Sequence, residues 1–216
     1  MIKAVLFDLD GTFADTAPDL AYALNQVLQQ ENRAPLPYER IRPVVSHGGI
    51  ALIKLGFSDL PPESREFARL RQNLLEIYKN NISQHTRLFT GMERLIERLE
   101  KNNVLWGIVT NKPSWLTDPL MSELGLTHRA AAIVSGDTTK EQKPHPLPLF
   151  HACDLMQCKP LDCLYVGDAE RDIIAGNRAG MKTITALFGY IEAHDHPENW
   201  GADAMINEPM DIEKHL

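Results

Sequence analysis

Near its N-terminus the chain runs from four apolar residues, Ala4-Val5-Leu6-Phe7, straight into Asp8-Leu9-Asp10-Gly11-Thr12. A short apolar run of this kind reads as a strand buried on both faces, the type found in parallel sheets covered by helices. It ends on two carboxylates, and neither belongs beside a core unless it is paired or holds a metal. The pair calls for a cation.

Similar apolar runs rich in β-branched residues recur downstream and alternate with helical stretches, which predicts an α/β fold with a parallel sheet. Strands are expected at 3–8, 104–110, 131–135, 163–167, 183–187 and 204–207, and helices at 92–101, 115–124, 146–156 and 169–179. The stretch 15–84 contains no comparable strand. It reads as three or four amphipathic helices, punctuated by Pro35, Pro37, Pro43, Pro61 and Pro62 and broken by Gly48-Gly49. This pattern predicts a sheet-bearing core made of 1–15 and 85–216, with a small all-helical unit, 16–84, inserted after the first strand. Asp15-Thr16 and the segment near Gln84 are the expected hinges.

The 22 basic and 29 acidic residues give a formal net charge of −7 with no basic run, which argues against nucleic acid as the partner. No apolar segment approaches the roughly 20 residues needed to cross a bilayer, and the N-terminus does not read as a signal peptide. The expectation is a cytoplasmic protein, monomer or homodimer, with no membrane partner. Cys153, Cys158 and Cys163 match neither a zinc-ligand spacing nor an even disulfide set, so they are expected to be free and mostly buried thiols. His145 reads as a loop-packing residue and His194-Asp195-His196 as a solvated loop. Trp106, Trp115 and Trp200 read as core or interface residues.

Open parallel sheets place ligands beyond the C-terminal ends of their strands. Asp8 and Asp10 follow the first expected strand, Thr110 and Asn111 the second, and Asp168 the run that ends at Gly167, while Lys143-Pro144 precedes a helix. Taken alone, Thr110 is an ordinary strand residue, Lys143 a solvated charge and Asp168 a helix N-cap. In order along the chain, Asp8-Leu9-Asp10-Gly11-Thr12, Val109-Thr110-Asn111, Lys143-Pro144 and Gly167-Asp168-Ala169-Glu170-Arg171-Asp172 resemble the motif set of the haloacid dehalogenase superfamily. The helical insertion is similar to the cap of its phosphoglycolate phosphatase branch.

The resemblance implies a Rossmann-like core and a magnesium-dependent phosphatase acting on a small phosphomonoester through an aspartyl phosphate. It implies Asp8 as nucleophile and Asp10 as general acid and base. Gly11, Thr12, Thr110, Asn111 and Lys143 would contact the phosphate. Asp8, the Asp10 backbone carbonyl and Asp168 would hold magnesium, with Asp172 orienting metal-bound water. Many relatives carry Ser, Thr or Asp at the position of Ala169, so a hydrogen bond beside the metal is missing here. Specificity would lie in the cap, where the backbone amides of Gly48 and Gly49 and the His47 imidazole are expected to meet a substrate carboxylate or hydroxyl. Within the branch the chain is similar both to phosphoglycolate phosphatases and to N-acetylmuramic acid 6-phosphate phosphatases. A β-phosphoglucomutase-like mutase is the enzyme alternative, and a non-catalytic phosphate- or protein-binding module the alternative of another class.

Overall fold

The computed structural model describes residues 2–216 and is built on a six-stranded parallel sheet. Its strands are β1 (Ala4–Phe7), β4 (Leu105–Val109), β5 (Ala132–Val134), β6 (Cys163–Gly167), β7 (Lys182–Ala186) and β8 (Ala204–Ile206), in the spatial order β5-β4-β1-β6-β7-β8. A separate antiparallel pair joins β2 (Ala14–Asp15) to β3 (Arg87–Leu88). Between those two short strands the chain is helical: α1 (Ala17–Gln30), α2 (Tyr38–Ile41), a 3-10 turn (Arg42–His47), α3 (Gly48–Gly56) and α4 (Arg65–Asn80). Helices α5 (Met92–Lys101), α6 (Ser114–Glu123), α7 (Leu147–Met156) and α8 (Glu170–Ala179) alternate with the strands of the large sheet.

All four residues of β1 are fully buried, as a central parallel strand requires. Alternation along β1 sends Val5 and Phe7 into the larger hydrophobic cluster, with residues of α1, α4 and α5, and Ala4 and Leu6 into the smaller one, with residues of α7 and α8. By the same parity Asp8 follows Leu6 toward the α7 and α8 side. In register Phe7 pairs with Ile108 of β4 and Val166 of β6. The three chains therefore leave the sheet together, at Asp8, Thr110 and Asp168. Because the strand order reverses about β1, this edge is the switch point at which open sheets form a crevice.

Helix α4 is capped by Ser64, whose hydroxyl accepts the Phe67 N–H at 3.1 Å, and it buries Phe67, Leu70, Leu74, Leu75 and Tyr78 on one stripe. The segment leading back to β3 is held by buried Asp19 in the first turn of α1. Its carboxylate accepts the backbone N–H of His85 at 3.0 Å and of Thr86 at 2.8 Å, together with the Thr86 hydroxyl at 2.7 Å. Among the described residues, no helix is long and apolar enough to cross a membrane.

Candidate active site

Asp8 lies at the foot of a cavity of about 410 Å3 that opens between the C-terminal edge of the large sheet and the helices α3 and α4. Its Oδ1 accepts a hydrogen bond from Lys143 Nζ at 2.7 Å. The same buried ammonium stands 2.8 Å from Asp172 Oδ1 and donates to the Val109 carbonyl and the Tyr165 hydroxyl, both at 2.9 Å. Lys143 is positioned by Asn111, whose side-chain amide accepts the Lys143 N–H and donates to its carbonyl, both at 3.0 Å. The expectation for Asn111 was a backbone N–H toward phosphate, whereas its side chain works as the clasp that sets the lysine. Thr110, at the end of β4, accepts the Lys112 N–H at 3.1 Å, and its hydroxyl proton is committed to no other group among the described residues.

The Asp8, Asp168 and Asp172 carboxylates each place an oxygen within 4.8 Å of the others, and all three residues are buried. Burial pushes the Asp8 carboxyl up to about 7, against the pull of the Lys143 ammonium and with the help of the Asp172 and Asp168 charges. Burial likewise raises Asp168, with Asp172 adding to it and the Tyr190 N–H and Ser46 hydroxyl opposing it. Such crowding favours a divalent ion with hard oxygen ligands, and the donor set fits magnesium.

Gly11 and Thr12 depart from the expected phosphate contact. The Gly11 N–H is donated to the Ala14 carbonyl at 3.1 Å, and the buried Thr12 hydroxyl is donated to Asp168 Oδ1 at 3.0 Å. Their task here is to shape the carboxylate cluster. Gly11 adopts φ +92°, and a Cβ there would fall 2.1 Å from Asp168 Oδ2, so the turn admits no side chain. Asp172, in the first turn of α8, also accepts the Ala169 N–H at 3.1 Å.

Asp10 is placed by Thr16, expected only as a hinge residue, and by Lys112, which had no expected role. Its Oδ1 accepts the Thr16 hydroxyl at 2.5 Å and the Lys112 ammonium at 2.9 Å, and Lys112 also donates to the Tyr78 hydroxyl of α4 at 3.0 Å. Burial works against the Lys112 ammonium, but the Asp10 charge and Tyr78 outweigh it and leave its pKa above the usual lysine value.

The segment 42–49 comes down onto the same edge. The Ser46 hydroxyl donates to Asp168 Oδ2 at 2.8 Å, and the Ser46 carbonyl accepts from half-buried Arg171 at 2.8 Å. Arg42 donates to the carbonyls of Phe188 and Gly189 and covers the Tyr190 ring. His47 lines the cavity with Gly48 and Gly49 as expected, but its Nε2 sits 2.9 Å from Glu192 Oε1. One ring nitrogen of the imidazole is thus partnered by the protein. Arg71 of α4 also lines the cavity, is exposed, and has no carboxylate or hydrogen-bond partner among the described residues. His145 accepts the Leu147 N–H within its loop, Trp106 is core, and His194 and His196 are exposed.

A buried aspartate just beyond the end of the central strand β1, held by a lysine and faced by two more acids at the switch point of a parallel sheet, marks this edge as the candidate active site. The model of the haloacid dehalogenase-like hydrolase family matches residues 5–186, and the chain belongs to that family. Two relatives resemble it over nearly their whole length. An N-acetylmuramic acid 6-phosphate phosphatase of Pseudomonas putida is 40% identical over 213 residues, covering 99% of this chain and 95% of the relative. A phosphoglycolate phosphatase of Xanthomonas campestris pv. campestris is 41% identical over 210 residues, covering 97% and 94%. Among solved structures, a predicted phosphoglycolate phosphatase from Haemophilus somnus superposes with a TM-score of 0.88 at 25% identity, covering 99% of this chain and 97% of the other.

Proposed function

We propose that the protein is a cytoplasmic, magnesium-dependent phosphatase of small phosphomonoesters that carry a carboxylate, with residues 16–84 serving as a cap over the catalytic core. The observation that carries this reading is the Lys143 ammonium shared by Asp8 and Asp172 at the floor of the cavity. An anionic nucleophile can approach an anionic phosphate only where fixed positive groups offset the repulsion.

Asp8 attacks phosphorus and forms an aspartyl phosphate, and the leaving alkoxide takes a proton from Asp10. Water then attacks the acyl phosphate, Asp10 accepts its proton, and inorganic phosphate leaves with Asp8 restored. Because the Asp10 carboxyl is engaged by Lys112 and Thr16 at rest, proton donation calls for the Lys112 ammonium to shift toward the bound phosphate. Thr110 and Lys143 contribute donors to the phosphoryl oxygens. Asp8, the Asp10 carbonyl and Asp168 would hold magnesium, which supplies charge neutralisation of the phosphoryl group when bound.

For the rest of the substrate we assign Arg71, the unpartnered cation of the cavity wall, as the carboxylate reader, in place of His47. A cavity of about 410 Å3 leaves much of its space empty around 2-phosphoglycolate and suits a sugar acid better. This favours N-acetylmuramic acid 6-phosphate, with 2-phosphoglycolate as the second reading. The test is phosphate release with magnesium from the two compounds side by side, with β-glucose 1-phosphate as the mutase control. We expect kcat/KM for the sugar acid to lead by about tenfold or more, worth about 1.4 kcal/mol of transition-state discrimination. A lead for 2-phosphoglycolate would reverse the assignment, and conversion of β-glucose 1-phosphate without phosphate release would point to a mutase.

A further inference from the structure

The three cysteines lie at the far end of β6 from Asp168. Their spacing of five residues follows neither a helical nor a strand period, yet the structure brings the sulfurs together. Cys153 comes from the last turns of α7 and Cys158 from the turn that follows it, which Gln157 makes possible at φ 52°. Cys163 opens β6. The Cys153 and Cys163 sulfurs are 3.7 Å apart, those of Cys158 and Cys163 are 3.2 Å apart, and all three lie within 4.8 Å of one another.

We propose that Cys153, Cys158 and Cys163 form a second metal site, one that takes a single thiophilic cation of the Zn2+ or Cu+ class. Metal–thiolate bonds of about 2.3 Å require sulfur separations of about 3.8 Å in tetrahedral geometry and about 4.0 Å in trigonal geometry, so the cluster needs only sub-ångström adjustment. The Lys159 carbonyl, 3.2 Å from the Cys163 sulfur, is close enough to complete a fourth position. Cys153 and Cys163 are buried, while half-buried Cys158 leaves a route of entry. Binding exchanges thiol protons for the ion and releases those protons to solvent. The Lys3 ammonium, within electrostatic reach of Cys158 and Cys163, offsets part of the negative charge of the thiolates. Magnesium is not a competitor here, because a hard cation prefers oxygen ligands. A bound ion would tie the end of α7 to the start of β6, and so stabilise the strand whose other end carries Asp168.

The test is a titration of the whole reduced, chelator-treated protein with Co2+, a spectroscopic stand-in for Zn2+. The chain has three cysteines in all, so a thiolate-to-cobalt charge-transfer band can arise nowhere else, including the carboxylate site. We expect the band to saturate at one ion per chain and to be bleached by Zn2+. Zn2+ should also raise the melting temperature of the protein. Changes in outer-shell partners alone cost metal sites about 10–100-fold in affinity, so Cys158→Ser, which removes a ligand, should weaken binding by at least about tenfold. Its circular dichroism and its magnesium-dependent phosphate release should stay those of the parent protein. No charge-transfer band in the folded parent, or a band of equal affinity in folded Cys158→Ser, would overturn the proposal.

Discussion

Strand β6 ends in a buried polar cluster at both of its termini, about 16 Å apart at ~3.3 Å per residue, and the two clusters solve the problem of burial in opposite ways. At the C-terminal end the carboxylates of Asp8, Asp168 and Asp172 are balanced by cations of the chain itself, with Lys143 bonded to two of them and half-buried Arg171 within electrostatic reach of all three. At the N-terminal end the thiols of Cys153, Cys158 and Cys163 are neutral and hydrogen-bond to one another, and no ammonium or guanidinium is bonded to them among the described residues. Carboxylates lose their protons more readily than thiols, and even where burial raises them, as at Asp8 and Asp168, the charge they carry must be matched in the folded chain, whereas thiols can be buried with their protons on. The first cluster is set for repeated chemistry on an anionic substrate, and the second holds capacity that only a soft cation would draw out.

The largest contrast should come from removing a lysine at each end. Lys143→Met breaks a buried ion pair and is expected to cost about 3–5 kcal/mol of stability and about 10^2–10^3-fold in kcat, read by denaturant melts and phosphate release. Lys3→Met, at the exposed Lys3–Asp162 pair beside the thiols, should leave both unchanged. Next in size, Asp10→Asn is expected to lower kcat by about 10^2–10^4-fold for an alkyl phosphate. Its effect on p-nitrophenyl phosphate, whose leaving group needs little protonation, should be much smaller.

The pH response sharpens the comparison further. Asp8 keeps its proton in the fold up to about pH 7, while the unfolded chain releases it near its ordinary value of 3.8. Metal-free protein should therefore lose stability, on the order of 4 kcal/mol, as pH rises from about 4 to about 7. Urea melts across that range would show the slope, and it should flatten in Asp8→Asn. The smallest effect is expected from Arg71→Ala. It should raise KM about tenfold for carboxylate-bearing substrates, equivalent to about 1.4 kcal/mol, and leave KM for an aryl phosphate unchanged. An equal loss on both would remove Arg71 as the carboxylate reader.

Much of the large sheet and its helices was legible because buried strands and punctuated helices leave strong local patterns. Cys163–Gly167 and Met92–Lys101 match the expected bounds to the residue. The first two strands are one residue shorter at each end than expected, although the Asp8 and Thr110 N–H groups still donate to the Val166 and Val134 carbonyls, both at 2.9 Å, where the chain passes into the cavity. Lys182 belongs to β7 despite its exposure, since pairing with Leu164 sets the register, and Leu187 falls outside. The motif residues Asp8, Asp10, Thr110, Lys143 and Asp168 do gather at one edge. What the sequence could not reveal was division of labour. Thr12 spends its hydroxyl on Asp168 and Asn111 its side-chain amide on Lys143, which only tertiary geometry decides. Arg171 stood inside a quoted motif without a role, and Lys112 follows the Val109-Thr110-Asn111 motif with no signal of its own. Arg71 had no signal beyond being a basic residue on the polar face of a helix, and the imidazole of His47 found its partner 145 positions away at Glu192.

The central claim is that Asp8 carries the phosphoryl group, and the most direct measurement is magnesium-dependent phosphate release by Asp8→Asn beside the parent protein. Removal of the nucleophile should lower turnover by at least about 10^4-fold, a barrier increase of about 5 kcal/mol, with the circular dichroism spectrum and a cooperative melt retained. A folded Asp8→Asn variant that releases phosphate at the parental rate would contradict the account.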